Sequence, residues 1–133
     1  MKIDFVKLLE ALEMIGDNSQ AYLNADTGEI EWLGDFFDNG EYEKKADRIE
    51  FGNFISLPSK YEIHEYKIME DFIFSLPTGE IQDKLYRAIK GKGAFRRFKD
   101  AINYLDVAKD WYSFRDEAYK NIALDWCKQN GLD

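Results

Sequence analysis

The run Gln20-Ala21-Tyr22-Leu23-Asn24-Ala25-Asp26-Thr27-Gly28-Glu29-Ile30-Glu31-Trp32-Leu33 decides the fold class, because here the hydrophobic period turns from helical to alternating. Two alternating stretches flank Asp26-Thr27-Gly28, and Gly28 suits the positive-φ position of a tight turn, so the segment reads as a β-hairpin. Upstream, Asp4 can cap a helix on which Phe5, Leu8, Leu9, Leu12 and Ile15 recur at helical spacing until Gly16 stops it. Downstream, Phe54-Ile55-Ser56-Leu57 reads as a short third strand, which a hairpin needs because two strands alone are marginal in water. From Pro58 onward the period is helical. The expected fold is therefore α+β: an N-terminal helix and a small antiparallel sheet packed with a C-terminal bundle of about four helices.

Between the hairpin and the third strand, Gly34 to Gly52 sets Asp35, Asp38, Glu41, Glu43, Asp47 and Glu50 against Lys44, Lys45 and Arg48. It reads as a solvated loop whose start is tucked inward by Phe36 and Phe37, and it lacks the spacing of a calcium loop. After Pro58, Ser59 and Glu62 form a capping box that opens one long helix. Its stripe collects Tyr61, Ile68, Met69, Phe72 and Leu76, with Glu65 in the middle and His64 at the edge as a packed, hydrogen-bonded side chain. Glu65 is either at the exposed upstream end or buried with a partner, since an unpaired buried carboxylate costs several kcal/mol. Pro77-Thr78-Gly79-Glu80 restarts the chain into a helix with Ile81, Leu85, Ala88 and Ile89 inward. Asp110 can cap the last helix, whose stripe of Trp111, Phe114, Ala118, Tyr119, Ile122 and Trp126 contains Arg115. Arg115 either pairs with Glu65 or snorkels past the rings to water.

Positive charge is concentrated at one place. From Lys84 to Lys99 there are seven basic residues and no acid, a local +7 in a chain of −8 that leaves −15 for the remainder. At its centre lies Gly91-Lys92-Gly93-Ala94-Phe95-Arg96-Arg97-Phe98-Lys99-Asp100, where Gly91 suits a left-handed helix end and Gly93 starts a helix with Ala94, Phe95, Phe98, Ala101, Ile102 and Leu105 inward. Arg96 and Arg97 fall in its first turn, where each opposes the helix dipole by roughly 0.3–1 kcal/mol. Something negative is expected nearby: a bound phosphate or carboxylate, or one of the 26 acidic side chains of the chain itself. Gly91, Lys92, Gly93, Ala94, Arg96, Arg97 and Lys99 are the candidate anion- or partner-binding residues. The word is not a P-loop, because the Lys-Ser/Thr ending is missing, and it follows a helix where a dinucleotide fingerprint needs a strand.

At 133 residues, 45% hydrophobic and 16% aromatic, the chain suits one domain, 1–133, with helix and hairpin in 1–57 and a helical part in 58–133. A pI near 4.7 disfavours double-stranded DNA and anionic membrane surfaces as partners. No apolar run approaches the ~20 residues of a membrane span and Met1-Lys2-Ile3-Asp4 lacks a signal-peptide pattern, so a cytoplasmic protein is expected. Cys127 and His64 are each the sole residue of their type, which excludes an internal disulfide and the usual Cys/His zinc sites. Cys127 beside Trp126 reads as a small core residue rather than a nucleophile served by His64. Neither metal nor cofactor is expected.

Leu57-Pro58-Ser59-Lys60-Tyr61-Glu62-Ile63, Ile68-Met69-Glu70-Asp71-Phe72, the Gly91–Asp100 word, and Trp111-Tyr112 with Ile122-Ala123-x-Asp125-Trp126-Cys127 together resemble a bacterial uncharacterised protein family of the "UPF" kind. The resemblance implies a bacterial cytosolic protein and brings no activity or site residues with it. An enzyme needs a nucleophile, a tuned acid or base, or a metal, and the carboxylates and arginines here lack a supporting Ser/His or Cys/His constellation. The leading expectation is a noncatalytic adaptor or regulatory protein that docks a protein partner through the basic elbow. Its rival is a binder of a phosphate-containing ligand or RNA end, with Gly91–Ala94 amides on the phosphate and Phe95 or Tyr104 for stacking.

Overall fold

The computed structural model describes residues 3–34 and 42–132, the side chain of Tyr42 excepted. The chain forms two compact units, Met1–Ile63 with Tyr119–Asp133, and His64–Ala118. In the first unit, α1 (Phe5–Met14) begins where the Asp4 carboxylate accepts from the Lys7 amide at 3.2 Å, and it buries Leu8, Ala11 and Leu12. The hairpin follows as β1 (Ser19–Asn24) and β2 (Ile30–Gly34). Asn24 makes the turn: its Oδ1 accepts from the amides of Asp26 at 2.9 Å and Thr27 at 3.2 Å, and Gly28 sits at φ +80°.

β3 (Phe54–Ser56) adds to the other edge of β1, giving an antiparallel sheet in the order β2-β1-β3 with Leu23 opposite both Ile30 and Ile55. Alternation puts Ala21 and Leu23 on the buried face. The Trp126 indole closes the β3 side by donating to the Ser56 carbonyl at 2.9 Å.

The polar segment after the hairpin is not all loop. Residues 42–51 form α2 (Tyr42–Phe51), with Glu43 in the first turn and Arg48 in the last, each complementing the helix dipole. Arg48 also pairs with Glu31 of β2. Phe36, Phe37, Asp35, Asp38 and Glu41 lie outside the described residues.

Both arms of the capping box are present: the Glu62 amide donates to Ser59 Oγ and the Ser59 amide to Glu62 Oε1, each at 3.1 Å. The single long helix expected there is two, α3 (Lys60–Ile63) and α4 (Glu65–Ser75), divided by His64 in the left-handed region at φ 56°. The interruption resets the stripe, so Ile63 is buried and Tyr61 is 90% exposed. His64 itself is exposed rather than packed.

In the second unit, α4 is followed by α5 (Glu80–Ala88) and α6 (Ala94–Tyr104), and α7 (Ala108–Gln129) begins there, two residues before the expected cap Asp110. Gln82 reaches back to satisfy the carbonyls of Ile73 at 2.9 Å and Leu76 at 3.2 Å, the end of α4. Phe72 is the hub of the core, edge-on to Phe98, Trp111 and Phe114 at centroid distances of 6.3, 5.4 and 5.5 Å. Ile81, expected inside, is 42% exposed. Leu85 and, just past the end of α5, Ile89 are buried as expected.

Candidate functional site

The elbow between α5 and α6 depends on two residues in the left-handed region, Gly91 at φ +79° and Gly93 at φ +76°. Any side chain at Gly91 would strain the backbone, and a Cβ at Gly93 would also come within 3.2 Å of Arg97 Nη1. That close approach reveals what Arg97 does. Its Nε donates to the Ala88 carbonyl at 2.9 Å, while Nη1 and Nη2 donate to the carbonyls of Lys92 and Lys90. The guanidinium thus caps the carbonyl end of α5, where positive charge is favourable, although its Cα lies in the first turn of α6, where it is not.

Arg97 is therefore an internal clamp, and the other cations divide. Lys84 pairs with Glu80 at 2.9 Å, holding that carboxyl below the usual carboxylate range by hydrogen bond and charge. Lys90, Lys92, Arg96 and Lys99 are exposed, and their side chains have no hydrogen-bond or ion-pair partner among the described residues. The first backbone bond of α6 runs from the Arg97 amide to the Gly93 carbonyl at 3.0 Å, and no side chain among the described residues caps the helix start. The Ala94, Phe95 and Arg96 amides have no acceptor among the described residues, as expected of the first donors of a helix.

A second feature adjoins this one. Glu65, Met69, Phe95, Phe98, Lys99, Trp111, Tyr112 and Arg115 line a cleft of about 260 Å³. At one side Arg115 Nε donates to Glu65 Oε1 at 2.6 Å, with side chains 20% and 15% exposed. A charge-assisted bond at that depth offsets part of the desolvation of both groups. Lys99 joins this pair in the cleft; Lys92, Arg96 and Arg97 do not line it.

Sequence periodicity assigned Phe95 to the core, whereas the ring is 54% exposed. It stands edge-on to Tyr66 at 6.4 Å, and the Tyr66 hydroxyl donates to the Ile89 carbonyl at 2.8 Å. Tyr66 and Tyr112 were missed from the site because neither carries a spacing signal; the arginine four residues after a Gly-Lys-Gly turn was a usable hint for the clamp. Cys127 is buried, which pushes its thiol pKa up. Among the described residues no group of three or more His, Cys, Asp or Glu could hold a metal ion.

The family model described as "Uncharacterised protein family (UPF0158)" matches residues 1–133. UPF0158 protein PA5073 from Pseudomonas aeruginosa is 27% identical over 66 residues, covering 49% of this chain and 43% of that relative. The match thus spans less than half the length of the curated relative. No solved structure matches the chain.

Proposed function

The chain belongs to UPF0158, an uncharacterised protein family, and from that premise we propose that it is a small noncatalytic adaptor or regulatory protein docking an acidic partner through the elbow at residues 84–99. One observation carries the reading: the side chains of Lys90, Lys92, Arg96 and Lys99 are exposed without partners among the described residues, on an elbow whose shape Arg97 already holds. Cations fixed in this way steer an acidic surface and set its register. The overall charge of −8 repels extended polyanions, so a compact acidic patch suits the elbow better than duplex DNA. A bacterial cytoplasmic setting belongs to the same proposal, since a chain with Cys127 as its one cysteine has no internal disulfide for an oxidising compartment to maintain. No helix among the described residues is long and apolar enough to cross a membrane.

A phosphate-containing ligand or RNA end is the second reading, favoured by the α6 start, where Gly93 offers no side-chain acceptor to the orphan amides and Lys92 and Arg96 stand close in sequence. Affinity capture from a lysate of the source organism, at low and high salt, with wild type beside Lys92→Glu/Arg96→Glu, separates the two when run with a thermal-shift screen of nucleotides, phosphosugars and short RNA. The adaptor reading expects a salt-sensitive protein partner that the charge reversal releases. A phosphate compound that raises the melting temperature by several degrees in wild type alone replaces it with the second reading. If capture is indifferent to the reversal, the elbow is not the docking surface.

A further inference from the structure

The cleft lined by α4, α6 and α7 adjoins the elbow through α6 itself, for Phe95 and Lys99 line the one while Arg96 belongs to the other. Resting on the docking role above, we infer that the partner is an acidic segment carrying one aromatic side chain, whose ring seats in this cleft while flanking carboxylates meet Lys92, Arg96 and Lys99. Size points to a side chain first. At about 260 Å³ the cleft falls below the roughly 300–1,000 Å³ of small-molecule sites, yet it is concave and apolar enough to hold an anchor.

Wall chemistry selects the anchor. The Met69 thioether and the rings of Phe95, Trp111 and Tyr112 favour an aromatic group through sulfur–ring and edge-on contacts. Lys99 in the same lining supplies a cation for the face of a ring, an attraction that an aliphatic anchor does not share. Preorganisation is the third observation. Phe95 is 54% exposed, but its contact with Tyr66, itself tethered to the Ile89 carbonyl, sets that wall before a partner arrives. A pre-set wall lowers the ordering cost of binding, and an aromatic anchor ringed by charge is how binding energy concentrates at interfaces.

The test is a ¹H–¹⁵N NMR titration of the full chain with three synthetic peptides: one with an Asp-Glu-Phe-Glu-Asp centre, one with Ala for the Phe, and one with Asn-Gln-Phe-Gln-Asn. The Trp111 indole N–H reports on the cleft, and the indoles of Trp32 and Trp126, which do not line it, serve as controls. The acidic aromatic peptide should shift Trp111 saturably, with Kd at least tenfold weaker when either its ring or its charges are removed. Phe95→Ala and Tyr112→Ala, both at exposed positions, should weaken that peptide at least tenfold while leaving the Ala peptide unchanged. Equal affinity for the Phe and Ala acidic peptides, still reduced by Lys92→Glu/Arg96→Glu, overturns the aromatic anchor and leaves docking by charge intact. Failure of all three peptides to bind also overturns it, and the capture experiment then decides the docking role separately.

Discussion

Arg96 and Arg97 occupy adjacent positions, but only Arg97 folds back over the turn to reach the three carbonyls of Ala88, Lys90 and Lys92. Arg97→Ala should therefore destabilise the protein by about 1–2 kcal/mol, the range of a lost helix cap or charged hydrogen bond, whereas Arg96→Ala should stay within about 0.5 kcal/mol. Urea midpoints compare the two directly. Arg97→Lys should recover little, because an ammonium is a point charge and cannot match a fork of carbonyls. Equal midpoints for the two alanine variants would mean that the clamp contributes no stability. The contrast also marks what was legible at this scale. Charge inside an apolar stripe left Glu65 and Arg115 open to two readings, a pair or an arginine snorkelling to water, and they bond at 2.6 Å. The clamp could not be read in the same way, since periodicity assigns a residue to a face and is silent about a long side chain turning back along the backbone.

At the scale of elements, legibility followed the hydrophobic period. The hairpin, the third strand and the α5–α6 pair each carry a strong alternating or helical pattern, and each is present at its expected place. α2 was hidden because its only buried hydrophobic residue among those described is Ile49, which gives no stripe, although Glu, Lys, Ala and Arg are good helix formers. The α3–α4 break was hidden for the opposite reason: the pattern runs through it without a glycine or proline. His64 there holds φ 56° and ψ 62°, a region that costs a side-chain-bearing residue of order 1 kcal/mol. His64→Gly removes the clash but frees the unfolded chain, so a net gain of up to about 1 kcal/mol is expected. His64→Val, with a branched β-carbon, should lose about 1–2 kcal/mol. A urea midpoint for the valine variant at or above that of the glycine variant would show that position 64 relaxes out of the left-handed region.

For the molecule as a whole, the distribution of charge and the burial of one thiol act at different pH. Glu80, drawn below the ordinary carboxylate range by Lys84, favours the folded state when ionised, a contribution lost only as acid protonates it. Being fully exposed, it leaves little mark. Cys127 works at the alkaline end and sits inside the protein. Burial raises its pKa above the ordinary 9.0, so the folded state keeps the thiol protonated after the unfolded chain has begun to release it. Its contribution is full below about pH 9 and declines as pH rises through the folded-state value, because ionisation then stabilises the unfolded chain. Lysines and tyrosines also titrate there, so the comparison must be a difference. The wild-type advantage in urea midpoint over Cys127→Ala should hold steady from pH 7 to 8.5 and shrink by pH 10. An advantage that stays constant to pH 10 would mean that the thiol ionises as readily in the folded protein as in the open chain, contrary to a side chain packed in the core.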